Sequence, residues 1–93
     1  MNIEQLLKEG SAVIIDVRSP AEYSGGHVAG SINIPLDEIA TRIDEIKQHG
    51  KPVVLCCASG MRSANATSIL SRMGVADCYN GGSWLDVNYY CNN

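Results

Sequence analysis

Two hydrophobic patterns alternate along this chain. Short continuous apolar runs at residues 12–17 (AVIIDV) and 53–57 (VVLCC) suit strands buried on both faces of a parallel sheet. Stretches with apolar residues three or four apart suit helices with one buried face. Residues 2–7 predict a short helix with Asn2 as its cap, Gln5 three residues on, Ile3, Leu6 and Leu7 inward, and Gly10 as its stop. After the first strand, Ser19-Pro20-Ala21-Glu22 carries an N-cap serine, a proline at the first helical position and a capping-box glutamate. Gly25-Gly26 keeps that helix short.

Residues 31–34 (SINI) predict a second, shorter strand closed by Pro35. Leu36, Ile39, Ile43 and Ile46 recur at helical spacing, with Asp37 and Glu38 where the helix dipole favours acids. Gly50 and Pro52 precede the third strand. Beyond it an Ala/Ser-rich helix is expected from about Ser63, burying Ala66, Ile69, Leu70 and Met73, with Gly74 just past its end. A fourth strand is expected over 76–80, a turn at Gly81-Gly82, and a last helix capped by Ser83 and carrying Trp84 and Leu85. Alternating strands and helices imply right-handed crossovers and an α/β fold around a parallel sheet. Ligands in such sheets bind beyond the carboxyl ends of the strands.

The stretch from Val53 to Ser63 stands at such an end. Its loop holds Cys57, Ala58, Ser59, Gly60, Met61 and Arg62 and leads into a helix start. Free backbone N–H groups there favour an anion, and a thiol among them, beside a fixed positive charge, ionises readily to the nucleophilic thiolate.

Composition narrows the field. Ninety-three residues make one domain, 1–93, with a core built from aliphatic residues because there is no Phe and one Trp. A net charge of −3, from seven Lys/Arg against ten Asp/Glu, offers no basic stripe for nucleic acid. No apolar run reaches the roughly 20 residues that cross a bilayer. The first residues have neither a basic nor an apolar signal region, which predicts a cytoplasmic protein; a leader already removed leaves the periplasm open. The cysteines at 56, 57, 78 and 91 form no Cys-x-x-Cys pair, so zinc, thioredoxin-type chemistry and a disulfide framework are not expected. Cys56 and Cys78 are read as buried strand residues and Cys91 as a tail thiol.

Three segments occur in one order: Asp16-Val17-Arg18 with Glu22-Tyr23, then residues 26–35 (GHVAGSINIP), then Cys57 to Ser63 with Gly81-Gly82 downstream. Together they resemble the rhodanese (sulfurtransferase) family in its single-domain form, from about Ile3 to Trp84. The resemblance implies a three-layer fold with a central parallel sheet of four or five strands flanked by helices. Residues 77–80 would lie beside 53–57, then 12–17, then 31–34 at the edge. The family's short first strand would be missing or reduced.

It further implies a sulfurtransferase with Cys57 as the nucleophile. A sulfane sulfur passes from a small anionic donor (thiosulfate, mercaptopyruvate or a polysulfide) to the cysteine as a persulfide, and then to cyanide, a thiol or a protein thiol. No metal or organic cofactor is implied. Ala58, Ser59, Gly60, Met61, Arg62 and Ser63 would bind the substrate through backbone N–H groups, the two serine hydroxyls and the guanidinium. Ser59 stands where thiosulfate-preferring members can carry Lys, which leaves the donor open. The six residues from Cys57 to Arg62 fit a bound sulfur better than the Cys-x5-Arg loop of related phosphatases and arsenate reductases. A non-catalytic or carrier module is the other reading. Asp16 and Arg18 are expected to be structural, the carboxylate bonding loop N–H groups and Arg18 pairing with Glu22. His27 is expected to pack in its loop.

Overall fold

A computed structural model describes residues 2–92. Its elements in order are α1 (Ile3–Glu9), β1 (Val13–Asp16), α2 (Pro20–Ser24), β2 (Ile32–Asn33), a 3-10 helix (Leu36–Arg42), α3 (Ile43–Gln48), β3 (Val53–Cys57), α4 (Met61–Arg72), β4 (Cys78–Ser83) and α5 (Trp84–Cys91). The strands form one parallel sheet in the order β2-β1-β3-β4. Among the described residues no strand precedes α1.

Side chains alternate across β3 and divide the core in two. Val53, Leu55 and Cys57 face Ile39, Ile43, Ala66 and Leu70, beneath the 3-10 helix, α3 and α4. Val54 and Cys56 face Leu7, Val28 and Val87, with α1 and α5 on that side. Each fully buried aliphatic side chain contributes about 1.5–3 kcal/mol, so a central strand buried along its whole length is the fold's main anchor. The alternation also sends the two adjacent thiols to opposite faces, and only Cys57 points toward the start of α4.

The local chemistry follows expectation at the caps. Asn2 Oδ1 accepts from the Gln5 amide at 2.8 Å, and the Ser19–Glu22 capping box is complete. Elsewhere the structure departs from the sequence reading, and Met73, expected to be buried by its helix, is 44% exposed. The helix expected from Leu36 to Ile46 is broken at Arg42, whose φ of −115° is not helical. Thr41 Oγ1 donates to the Glu38 carbonyl at 2.9 Å, a local bond that favours the tighter 3-10 turn. The Ile39, Ile43 and Ile46 stripe stays buried through the break.

Helix α4 starts at Met61, two residues earlier than expected, because Gly60 takes the left-handed φ of +98° and turns the chain straight into it. Strand β4 begins at Cys78, and it does not stop at Asn80 but runs through Gly81-Gly82 to Ser83. Its register slips between Leu55 and Cys56, leaving Gly81 as an extra residue. A Cβ on Gly81 would lie 2.7 Å from Val54 Cγ1 and 2.8 Å from Val87 Cγ2, so only glycine fits. Cys78 is half-buried, unlike Cys56, because β4 lies at the sheet edge.

Candidate functional site

The loop after β3 packs onto β4. A Cβ on Gly60 would lie 3.3 Å from the Cα of Gly82, so the two glycines let the loop backbone sit against the strand. This folds the loop over the Cys57 sulfur. The Gly60 amide donates to Sγ at 3.0 Å and the Ser63 amide at 3.4 Å. Ser63 Oγ lies 3.4 Å from the same sulfur. The Ser63 amide belongs to the first turn of α4, whose N–H groups lack helical partners. Burial raises the pKa of the Cys57 thiol, but its hydrogen-bond contacts with the Ser63 side chain and with the Ser63, Gly60 and Ser59 amides outweigh that, and the thiol is held below its ordinary pKa of 9.0.

Cys57 is 0% exposed, so the sulfur forms the floor of the loop while Ala58, Ser59 and Met61 form its exposed rim. Cys56 is buried on the other face without such donors. Burial first, then the Asp16 carboxylate, pushes its thiol up to about 12.

Arg62 reaches across to α2. Its Nη1 and Nη2 donate to Glu22 Oε1 and Oε2 at 2.7 and 3.0 Å. The Arg62 hydrogen bond, followed by that of the Ser19 amide, lowers the Glu22 pKa to about 2. Arg62 thus flanks a groove of about 420 Å³ lined by Val17, Pro20, Pro35, Leu36 and Glu38 among others. A larger cavity of about 540 Å³ lies near Gly10, Val13 and Cys91, and Cys57 does not line it.

The expected Arg18–Glu22 pair does not form. Arg18 turns inward, and its Nε and Nη2 donate to Asp16 at 2.7–3.0 Å. Nη2 also donates to the Gly26 carbonyl at 2.7 Å, and the guanidinium lies 4.8 Å from the centre of the Trp84 ring. Asp16 accepts the Arg18 amide at 3.0 Å, as expected of a carboxylate that organises a loop. Glu22 is left to Arg62 because its carboxylate faces out of α2 while Arg18 is buried. His27 stacks on Tyr23 with ring centres 3.8 Å apart, and its Nδ1 lies 2.7 Å from the Tyr23 carbonyl oxygen. Cys91 ends α5 half-buried against the second core cluster, and burial raises its pKa.

Sequence reasoning missed Asn80. Its Oδ1 lies 2.6 Å from Ser63 Oγ and accepts the Gly82 amide at 2.9 Å, while Nδ2 donates to the Gly60 carbonyl at 3.2 Å. Its one sequence signal is a strand-averse residue placed directly before a glycine pair.

Comparison with known proteins agrees with this architecture. A family model described as Rhodanese-like domain matches residues 2–84. The chain is 40% identical over 74 residues to thiosulfate sulfurtransferase PspE of Escherichia coli, covering 78% of this chain and 71% of that protein. It is 44% identical over 69 residues to the uncharacterized protein YqhL of Bacillus subtilis, covering 74% of this chain and 54%, or about half, of that one. Among solved structures, a rhodanese with anions from E. coli superposes with a TM-score of 0.74 at 39% identity, covering 81% of this chain and 89% of that one. The human single-domain sulfurtransferase TSTD1 gives a TM-score of 0.74 at 26% identity, covering 90% of this chain and 87% of that one. No described helix is long and apolar enough to cross a membrane. With the family model covering nearly all of its length and the strand order of its sheet in agreement, the chain belongs to the rhodanese-like domain family.

Proposed function

We propose that this domain is a sulfurtransferase that carries sulfane sulfur as a persulfide on Cys57. The observation that carries the reading is the convergence of the Gly60 and Ser63 amides on Sγ, at 3.0 and 3.4 Å. Those donors stabilise a negative charge on sulfur, whether it is the attacking thiolate or the persulfide that follows.

In the first half-reaction the thiolate attacks the outer sulfur of the donor. A new S–S bond forms at Cys57, the bond from that sulfur to the rest of the donor breaks, and the leaving group takes the electron pair; from thiosulfate it leaves as sulfite. In the second half-reaction cyanide or a thiolate attacks the terminal sulfur, and Cys57 departs as thiolate. Thiolate and persulfide differ by one sulfur atom and share their charge, so one set of fixed donors serves both halves. The thiolate needs no general base. Ala58, Ser59 and Met61 form the rim over which the donor enters, Gly60 gives the turn, Ser63 closes the floor, and Arg62 supplies the nearby positive charge.

PspE is named a thiosulfate sulfurtransferase, as is GlpE of Pseudoalteromonas translucida at 36% identity, which supports trying thiosulfate first among the donors. The test is a panel of thiosulfate, mercaptopyruvate and polysulfide as donors against cyanide, small thiols and protein thiols as acceptors, run on the wild type and Cys57→Ser. Turnover with at least one donor, lost in Cys57→Ser, is the expected result. Full transfer by Cys57→Ser, or phosphate-ester hydrolysis that depends on Cys57, contradicts the reading.

A further inference from the structure

The Asn80 side chain is held at both ends. An N–H group only donates and a carbonyl only accepts, so the Gly82 amide at 2.9 Å and the Gly60 carbonyl at 3.2 Å fix which end of the Asn80 amide is oxygen. That oxygen lies 2.6 Å from Ser63 Oγ, and it carries no hydrogen. The single hydroxyl hydrogen of Ser63 must therefore lie on the line to Asn80. The same Oγ is 3.1 Å from the Gly60 carbonyl and 3.4 Å from Cys57 Sγ, so the shortest of three contacts takes the one hydrogen.

Toward neutral Cys57, Ser63 is then an acceptor for the S–H. Toward the thiolate it becomes a donor only by turning its hydrogen away from Asn80. From this geometry we propose that Asn80 is a positioning residue that holds the Ser63 hydroxyl hydrogen and thereby restrains ionisation of Cys57. The amides of Gly60 and Ser63 serve the thiolate at once, whereas the hydroxyl serves it only at the expense of its bond to Asn80. The inference rests on Cys57 being the reacting thiol.

Other groups that act on this sulfur are accounted for. Arg62, from α4, is bound by Glu22 of α2. Asp16 and Arg18 at the end of β1 are bound to each other. Cys56 on β3 is neutral across the working range. Asn80 itself is exposed while Ser63 is fully buried, so truncating Asn80 removes its hydrogen bonds without opening the core.

The test measures iodoacetamide alkylation of the Cys57 peptide by mass spectrometry between about pH 5 and 10, without any sulfur donor. Asn80→Ala is expected to lower the pH midpoint of alkylation by about 0.3–1 unit, the worth of one hydrogen bond. Ser63→Ala and the double variant Ser63→Ala/Asn80→Ala are expected to share one midpoint. Asn80→Asp keeps the acceptor, adds negative charge and is expected to raise the midpoint. An unchanged or raised midpoint in Asn80→Ala overturns the proposal, as does a lowered one in Asn80→Asp. So does an equal shift in the Ser63→Ala background, which would assign the effect to the Asn80 bonds with Gly60 and Gly82. Because no sulfur transfer is read, failure here leaves the persulfide reading standing. Loss of persulfide with these midpoints intact removes that reading alone.

Discussion

Arg62 and Glu22 stand 40 positions apart in sequence, and their side chains meet in a two-pronged ion pair at 2.7 and 3.0 Å. The pair ties the first turn of α4 to α2 at the mouth of the thiol loop. In the proposed reaction an incoming anion would therefore meet Arg62 already partnered, with part of its attraction spent on Glu22.

Glu22→Gln releases that charge. Both side chains are more than one-third exposed, so the effect is modest: KM for thiosulfate should fall about two- to five-fold, with kcat and Tm little changed. Steady-state kinetics at low and high salt check it, and the gain should shrink as salt screens Arg62. The sign with pH is fixed by the lowered Glu22 pKa. A carboxylate at about 2 in the fold, against an ordinary 4.5, keeps the pair intact above about pH 4.5 and loses it as pH falls toward 2. Wild type and Glu22→Gln should therefore differ by the same factor throughout the neutral range.

The two adjacent thiols should behave as different chemical species. Cys57 lies below its ordinary 9.0 and Cys56 near 12. Thiolate is the reacting form, so at pH 7–8 peptide mapping after brief alkylation should find Cys57 modified and Cys56 untouched. Cys56 labelled first in the native protein would contradict the alternation along β3.

Gly81→Ala should destabilise the domain. The added methyl would press within 2.8 Å of Val54 and Val87 in the second core cluster. Overpacking of this kind costs about 1–3 kcal/mol, measured by urea unfolding.

Arg18→Ala should cost more, about 3–5 kcal/mol, because it leaves the Asp16 carboxylate buried at 0% exposure with its cation gone. Chemical denaturation measures it. Unchanged stability would mean that the pair holds nothing together.

These consequences were legible in the sequence to unequal degrees. The strands themselves and the loop from Cys57 to Arg62 could be read because each is carried by a local run, an apolar stretch, a proline or glycine stop, or a thiol before a helix start, whereas the order of the strands in the sheet was implied only by the family resemblance. The partner of Arg18 could not. Spacing of four offered Glu22, but burial decided for Asp16, and burial is a property of the assembled sheet. The length of β4 was hidden for a similar reason. Gly81-Gly82 carries a turn signature, yet the pair forms a bulge because Val54 and Val87 leave no space for a side chain. Asn80 had no signal of its own chemistry, since its contact with Ser63 crosses from β4 to α4.

The proposed sulfur transfer stands or falls on Cys57 holding the sulfur. Intact-mass spectrometry after brief thiosulfate treatment, without acceptor, tests it directly. One adduct of about 32 Da is expected on the wild type, mapped to the Cys57 peptide, discharged by cyanide and absent from Cys57→Ser. An unchanged wild-type mass after treatment with every donor in the panel, or an adduct that persists in Cys57→Ser, would contradict it.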